Sequence, residues 1–317
     1  MLSHLGLSTY EQYCDGDLLH QTSDGATHRD AVLKPMQHSL RVEGGLRALV
    51  DAIAGELSEE QVRLQTEVTR LTRTADGVRV TARHRGAETT FDATTVALAL
   101  PPRLAARFVY DPVLDDESVR LLQSTPTWMA GHAKFLAIYD APFWRMQGLS
   151  GDALSRRGPL AEIHDASPSS GGPYALFGFF GVDGPTRAAR NETEWTEAAI
   201  DQLVTLFGRE AANTRHVEMM DWSNEAATAA PSDRRAPDHH PEYGVRLQLE
   251  DSWRDVLHFI GTETAFEDGG LVEGALRQGL SFAGRVIGAE EKPVRDKSPG
   301  ASSEAHTASM GWDWIDD

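Results

Sequence analysis

An α/β (α+β) fold is predicted by three features of this 317-residue sequence. The run 95–100 (Thr-Val-Ala-Leu-Ala-Leu) is apolar on both faces and stops at Pro101-Pro102, the pattern of a strand covered on both sides. A second short apolar strand, 256–260, runs into Gly261-Thr262-Glu263-Thr264, then Gly269-Gly270, then a helix over about 271–287. Between these two, strands and a helix of ordinary amphipathic pattern fill more than a hundred positions, enough for a separate layer of structure.

Taken in order, residues 1–43 are mixed and turn-rich, with Asp15-Gly16 and Asp24-Gly25 as turn signals. Gly44-Gly45 opens a helix in which Leu46, Leu49, Val50, Ile53 and Leu57 recur at helical spacing and form one apolar stripe. After the Asp76-Gly77 turn, Val78, Val80 and Ala82 alternate with Arg79, Thr81 and Arg83, which predicts a half-buried hairpin arm. Residues 131–139 form another strand, and 173–181 a third with glycine at both ends. A helix over 192–207 carries Trp195, Ala199, Leu203 and Leu206 on one side. The stretch 223–245, rich in Pro, Asp and His, predicts a long loop. The helix that follows the glycine turn carries Leu271, Ala275, Leu276, Leu280 and Val286. From Glu290 the chain is charged and Ser/Ala-rich, as in disordered segments, and ends with Trp312 and Trp314 in a terminus that either docks or stays loose. No internal repeat is present.

The length allows one or two domains with a substantial core. A net charge of −18 argues against nucleic acid or an anionic membrane surface as a partner, since both repel it. Only four of the thirty basic residues are lysines, Lys34, Lys134, Lys292 and Lys297, a bias that salt adaptation and a GC-rich genome explain equally well. No run reaches the roughly 18 apolar residues that span a bilayer. The start, Met1-Leu2-Ser3-His4, has neither the basic nor the apolar region of a signal peptide, so a cytoplasmic location is expected. The one cysteine, Cys14, excludes an intramolecular disulfide and reads as a bystander thiol. His239-His240 are adjacent and His4, His20, His28 and His38 are scattered, so no metal site is expected. Neither G-x-S-x-G nor H-E-x-x-H occurs, and a hydrolase has no support.

Two constellations carry chemistry. A strand, a glycine-rich turn and a helix N-terminus direct backbone N–H groups and the positive end of the helix dipole at whatever sits above the turn. A flavin suits such a place because reduction puts negative charge on its N1–C2=O edge; a plain strand–helix connection is the other reading. Lys134 shares a strand face with Leu136 and Ile138, where lost hydration lowers its pKa and makes it seek a water or carbonyl partner. Alternatively it snorkels from an edge strand to solvent.

Three strings together resemble the flavin monoamine oxidase family: Arg41-Val42-Glu43-Gly44-Gly45-Leu46; Lys134 through Tyr139-Asp140-Ala141-Pro142-Phe143-Trp144-Arg145; and Phe259-Ile260-Gly261-Thr262-Glu263-Thr264 through Gly270-Leu271-Val272-Glu273-Gly274-Ala275. Asp221-Trp222 and Leu100-Pro101-Pro102 fall where the family has matching segments, and the likeness covers roughly residues 1–288. The resemblance implies an FAD/NAD(P)-binding domain of the glutathione-reductase type, incomplete at its N-terminus, plus a mixed-sheet substrate domain. It divides the chain into 1–43, a linker and part of the substrate domain; 44–100, part of the FAD-binding domain; 101–250, the substrate domain; 251–288, the FAD-binding strand–turn–helix; and 289–317, a disordered acidic tail.

By the same resemblance Gly261, Thr262 and Glu263 meet the flavin ribityl and phosphate. The Val272 N–H, beside Gly270 and Leu271, meets the flavin C2=O, and Val68 matches the strand whose backbone contacts adenine. Lys134 matches the lysine that holds a water near flavin N5, and Trp222 a tryptophan packed near the flavin, so that Lys134, Trp222 and Gly270 gather around the ring. The implied cofactor is FAD, held non-covalently because no cysteine lies near the usual attachment site.

Departures are equally specific. The G-x-G-x-x-G dinucleotide fingerprint is nowhere in the chain, and about 60 to 80 residues on the scale of two βαβ units are expected ahead of Leu5-Gly6-Leu7. Leu271 stands where the family often has one of two aromatic rings that orient the amine, and Ala226, Ala227 and Pro231 offer no donor of the other. The expectation is an FAD-dependent oxidoreductase of the amine oxidase type that oxidises a small-molecule substrate, an amine, by hydride transfer to flavin. A catalytically inactive fragment or binding module lacking the pyrophosphate site stays open as an alternative, as do a partner subunit and a homodimer.

Overall fold

A computed structural model describes residues 1–244 and 247–288; the predicted acidic tail, with Trp312 and Trp314, lies outside the described residues. The chain divides into two compact units, 1–63 with 132–221 and 64–131 with 222–317. It enters the first unit with β1 (Thr9–Glu11), β2 (Asp17–Gln21), β3 (Thr27–Asp30), β4 (Leu40–Val42) and helix α1 (Gly45–Gly55). It then contributes β5 (Thr66–Arg73), β6 (Val78–His84), β7 (Ala87–Ala93), β8 (Val96–Leu98), α2 (Pro102–Ala105), β9 (Val109–Asp111) and α3 (Asp116–Ser124) to the second unit. Back in the first unit come β10 (Ala133–Tyr139), α4 (Phe143–Met146), β11 (Leu149–Ser155), β12 (Leu160–Asp165), β13 (Tyr174–Phe180), α5 (Gly184–Arg187), α6 (Glu192–Phe207) and β14 (His216–Asp221). The second unit closes with β15 (Leu257–Phe259) and α7 (Val272–Val286).

In the first unit a seven-stranded sheet runs in the order β14-β10-β13-β12-β11-β2-β3. All neighbours are antiparallel except β11 and β2, which makes the sheet mixed. Strict alternation sorts its side chains. Phe135, Ala137 and Tyr139 of β10, Leu176 and Phe180 of β13, Ile163 of β12 and Ala153 of β11 enter one core with Trp195, Ala199, Leu203 and Phe207 of α6. The helix begins at a capping box, Asn191 accepting from the Glu194 N–H and Glu194 from the Asn191 N–H, and ends at Gly208, whose φ of 95° stops it. The predicted strands at 131–139 and 173–181 and the helix at 192–207 are therefore present.

The second unit holds a four-stranded sheet, β7-β6-β5-β9, and a parallel pair, β15-β8. Val78 and Ala82 of β6 are buried while Arg79 and Arg83 face out, as the hairpin reading expects. Its core gathers Leu71, Val78, Leu98, Tyr110, Leu122, Trp253 and Leu257. Trp253 is fully buried, donates Nε1–H to the Pro112 carbonyl at 3.0 Å, and meets Tyr110 edge-on. The two apolar strands pair in parallel, Leu257 opposite Val96 and Phe259 opposite Leu98.

Four expectations change. The strand at 95–100 is only three residues long, has β15 as its one described partner, and buries only Leu98, because a strand with a single neighbour is not enclosed. The α1 stripe is open: Leu49 is buried, but Leu46 and Val50 are 62% and 60% exposed. Residues 1–43 contain four short strands rather than turns alone. The unit boundaries fall at 63/64, 131/132 and 221/222 instead of 43/44, 100/101 and 250/251. Helix α1 stays with β4, while Leu104, Tyr110, Leu114 and Leu122 pack into the second unit's core with Leu71 and Trp253.

These burials predict a contrast measurable by urea denaturation. Ile163→Ala, at a position with no exposed surface, should cost about 2–4 kcal/mol of the first unit's stability. Leu46→Ala on the open α1 stripe should change it by no more than ~0.5 kcal/mol. Equal costs would mean that the stripe is covered.

Candidate functional site

The alternation that fills the core sends a different set of side chains to the opposite face of the seven-stranded sheet. Lys134 lies across from Phe179 on one side and Met220 on the other, and Leu136 across from Phe177. Phe179 and Phe177 lie in turn across from Glu162 and His164. Lys134 is an exposed residue whose Nζ nevertheless lies over aromatic surface, 4.7 Å from the Phe179 ring centroid and 5.9 Å from that of Phe177. Among the described residues no carboxylate pairs with it. Lost hydration, and secondarily the Arg41 guanidinium, hold its pKa below the ordinary lysine value, the direction the sequence predicts.

Beside this pair of rings lies a buried relay absent from the sequence reading. His164 has no exposed side-chain surface; its Nδ1 is 2.8 Å from Asp152 Oδ1 and its Nε2 2.7 Å from Glu162 Oε1. Burial disfavours the charged ring, but the hydrogen bonds from Asp152 and then Glu162 prevail and raise its pKa. Both nitrogens then donate, which is the form two carboxylates select. Asp152 Oδ2 is buried and unpaired.

In the second unit, β15 delivers Gly261, Thr262 and Glu263 into one turn with Gly270, Leu271 and Val272. A Cβ on Gly261 would come within 2.8 Å of the Leu100 carbonyl, so the turn approaches the end of the β8 segment as only glycine allows. Thr262 Oγ1 donates to the Leu271 carbonyl at 2.6 Å, tying the strand end to the helix start. Gly274, in the first turn of α7, sits against the Asp268 carbonyl and Thr262 Oγ1, where a Cβ would fall 2.3 and 2.8 Å away. Leu271 precedes α7 without a side-chain cap, and Leu271 and Val272 are about half exposed. The first-turn donors of α7 therefore lack a capping side chain, and the glycines leave room for close approach. This fits a flavin edge at the helix start. Gly270 differs: Tyr243 and His240 pack over it, so that a Cβ would meet Tyr243 Cε2 at 2.6 Å.

Glu263 is buried, and desolvation holds its carboxyl above the ordinary range. Tyr243, which the sequence reading passed over as loop, accepts from the Trp128 N–H at 2.9 Å and donates to the Pro126 carbonyl at 3.0 Å. Buried Asp233 pairs with Arg103 and accepts from the Ala230 N–H. Neither residue belongs to a periodic segment, so no pattern could have marked it. Val68 is half-buried in β5 at a register shift, on a different element from the turn. Trp222 begins a short 3-10 turn and is 36% exposed. Lys134 belongs to the first unit, and Trp222, Val68 and the turn to the second. Among the described residues no group of three or more His, Cys, Asp or Glu is placed to hold a metal ion.

Residues 8–287 match the family described as flavin containing amine oxidoreductase. A flavin-containing monoamine oxidase, AofH, of Mycobacterium tuberculosis is 32% identical over 252 residues, covering 78% of this chain and 52% of its own length. An L-amino acid dehydrogenase of Synechocystis is 28% identical over 249 residues, covering 78% of this chain and 51% of its own length. The chain thus spans about half the length of these curated relatives. Among solved structures, putrescine oxidase bound to putrescine superposes with a TM-score of 0.72 at 20% identity, covering 90% of this chain and 84% of that one. Cyclohexylamine oxidase from Brevibacterium oxydans gives 0.68 at 19% identity, covering 90% and 83%. At these identities the likeness speaks for the fold.

The relay has a pH signature. A raised folded pKa means that the contribution of His164 to stability is complete below the ordinary histidine value of about 6.5 and is lost as pH rises through the higher folded value. His164→Ala strands Asp152 and Glu162 and should cost about 3–5 kcal/mol near pH 6. The gap in melting temperature between the native chain and H164A should narrow between about pH 6 and pH 9. A gap that widens would reverse the assigned direction.

Proposed function

Because the chain belongs to the flavin containing amine oxidoreductase family, whose cofactor is FAD, we propose that it acts as an FAD-dependent oxidoreductase of the amine oxidase type. The observation that carries this reading is the turn between β15 and α7, where two close-approach glycines and an uncapped helix start stand together. Bound FAD supplies the acceptor for the hydride leaving the carbon of the substrate C–N bond.

The remaining work falls to the chain's own groups. Gly261, Thr262 and Glu263 would hold the ribityl and phosphate side through their backbone, with the Thr262 hydroxyl fixing the turn. The Val272 N–H, beside Gly270 and Leu271, would donate to the ring edge that gains negative charge, assisted by the α7 dipole. Val68 would offer backbone to the adenine, and Trp222 would pack beside the ring. Lys134, whose pKa lies below the ordinary lysine value, would hold a water at the reacting carbon. Leu271, half exposed and aliphatic, leaves the substrate side wider than an aromatic ring would. The substrate is a small amine, and the protein works in the cytoplasm, alone or as a homodimer. No helix among the described residues is long and apolar enough to cross a membrane.

Anaerobic addition of a primary amine or amino acid to the purified protein mixed with FAD should bleach the visible flavin band. Lys134→Met should slow the bleaching by about tenfold or more while flavin binding persists. Gly274→Ala, which forces the helix start away from Thr262, should instead abolish flavin binding. A band left unbleached by amines and amino acids alike would overturn the reading.

A further inference from the structure

On the face of the first unit's sheet opposite α6, two cations share one aromatic ring. The Arg41 guanidinium carbon lies 5.8 Å from the Phe177 centroid and Lys134 Nζ 5.9 Å from the same centroid. Arg41 is delivered by β4, half of the two-stranded ribbon in which it lies across from Tyr10. Among the described residues its guanidinium makes one hydrogen bond, a long one of 3.5 Å to Gln12 Oε1, and the buried Gln12 Nε2 has no partner. Among the described residues neither cation is paired with a carboxylate. Glu162, on the same face, is held by His164. The position is unusual in a chain of net charge −18, where acidic partners outnumber basic ones. Lost hydration is the main cause of the depressed Lys134 pKa, and the like charge of Arg41 adds to it. An anion between the two cations would offset their repulsion, and a planar carboxylate matches both the guanidinium fork and the ammonium.

We propose that Arg41 and Lys134 form a carboxylate receptor and that the substrate is an α-amino acid. The position of the carboxylate on the substrate rests on the function proposed above, in which Lys134 stands at the reacting carbon. A carboxylate held by the same ammonium is then attached to that carbon and not to a distant one. Phe177, Phe179, Leu136 and Met220 surround the pair with apolar surface, which suits the side chain of such a substrate.

The test separates binding from redox chemistry. L-phenylalanine and 2-phenylethylamine differ only by the carboxylate, and their affinities can be measured by titration calorimetry on the full chain without added flavin. Phenylalanine should bind at least about tenfold more tightly, the scale of a charge-assisted hydrogen bond. Arg41→Ala should erase that preference while leaving the affinity for phenylethylamine within about threefold, and Arg41→Lys should restore part of it. Equal affinities in the native chain would overturn the proposal, as would an R41A variant that keeps the preference for phenylalanine. If R41A fails to fold, competition answers the same question in the native chain: phenylacetate should displace phenylalanine, and benzyl alcohol should not. Displacement by both to the same degree would sink the receptor. Since no flavin enters these measurements, a failure of flavin bleaching and a failure of carboxylate recognition are read separately.

Discussion

The two-residue period of β10, β13 and β12 is the constraint from which the first unit's chemistry follows. Phe135, Ala137, Leu176 and Ile163 must point one way to meet α6, and that choice leaves Lys134, Phe177, Phe179, Glu162 and His164 no alternative but the other face. A one-residue slip of β10 would bury the lysine in the α6 core and expose Phe135. The apolar core thus fixes the position of a cation to within the pleat of a strand. Rigidity there is what a group acting on one substrate atom requires.

The second unit meets a different constraint, the closeness of backbone to backbone. Gly261 against Leu100 and Gly274 against Asp268 leave no volume for a Cβ. The Thr262 hydroxyl bond to the Leu271 carbonyl locks the strand end to the helix start. Donors held so tightly need no reorganisation when charge develops in front of them, which is how fixed dipoles outperform mobile ones. Tyr243 and His240 over Gly270 bring the 236–244 loop onto the same turn, and Tyr243 passes that hold to Pro126 and Trp128. The turn is therefore braced from two sequence-distant segments of its own unit.

Much of this was legible in the sequence, for identifiable reasons. β10, β13, α6 and α7 carry long apolar patterns, β15 is a short and largely apolar run, and the glycine turn announces itself by composition. Lys134 stood out because a charge on an apolar strand face is rare. β11, β12 and β14 went unseen because the face that carries Asp152, Glu162, His164 and Glu218 is polar, so their alternation does not read as hydrophobic. The β1–β4 strands of three to five residues are too short to outweigh the turns around them. Arg41 was visible as part of a motif but not as a site residue, since only the fold brings its guanidinium to the Phe177 ring. Asp233 and Tyr243 were hidden for the same reason: their partners are brought to them by the fold.

The overall charge bears on how a cationic pair works in so acidic a protein. At long range a net charge of −18 repels any carboxylate, and electrostatic steering cannot favour one. At physiological salt, however, fields from exposed charges fade beyond a Debye length of about 8 Å. Two cations that lie 5.8 and 5.9 Å from the centroid of one aromatic ring act at short range, in surroundings where Lys134 is already partly dehydrated. Their influence therefore falls on how long a carboxylate stays and not on how often it arrives, the division expected when complementarity is local and the field opposes it. Under the proposal, a zwitterionic amino acid carries no net charge and escapes the long-range repulsion that a free anion meets, while its carboxylate still finds the two cations at short range.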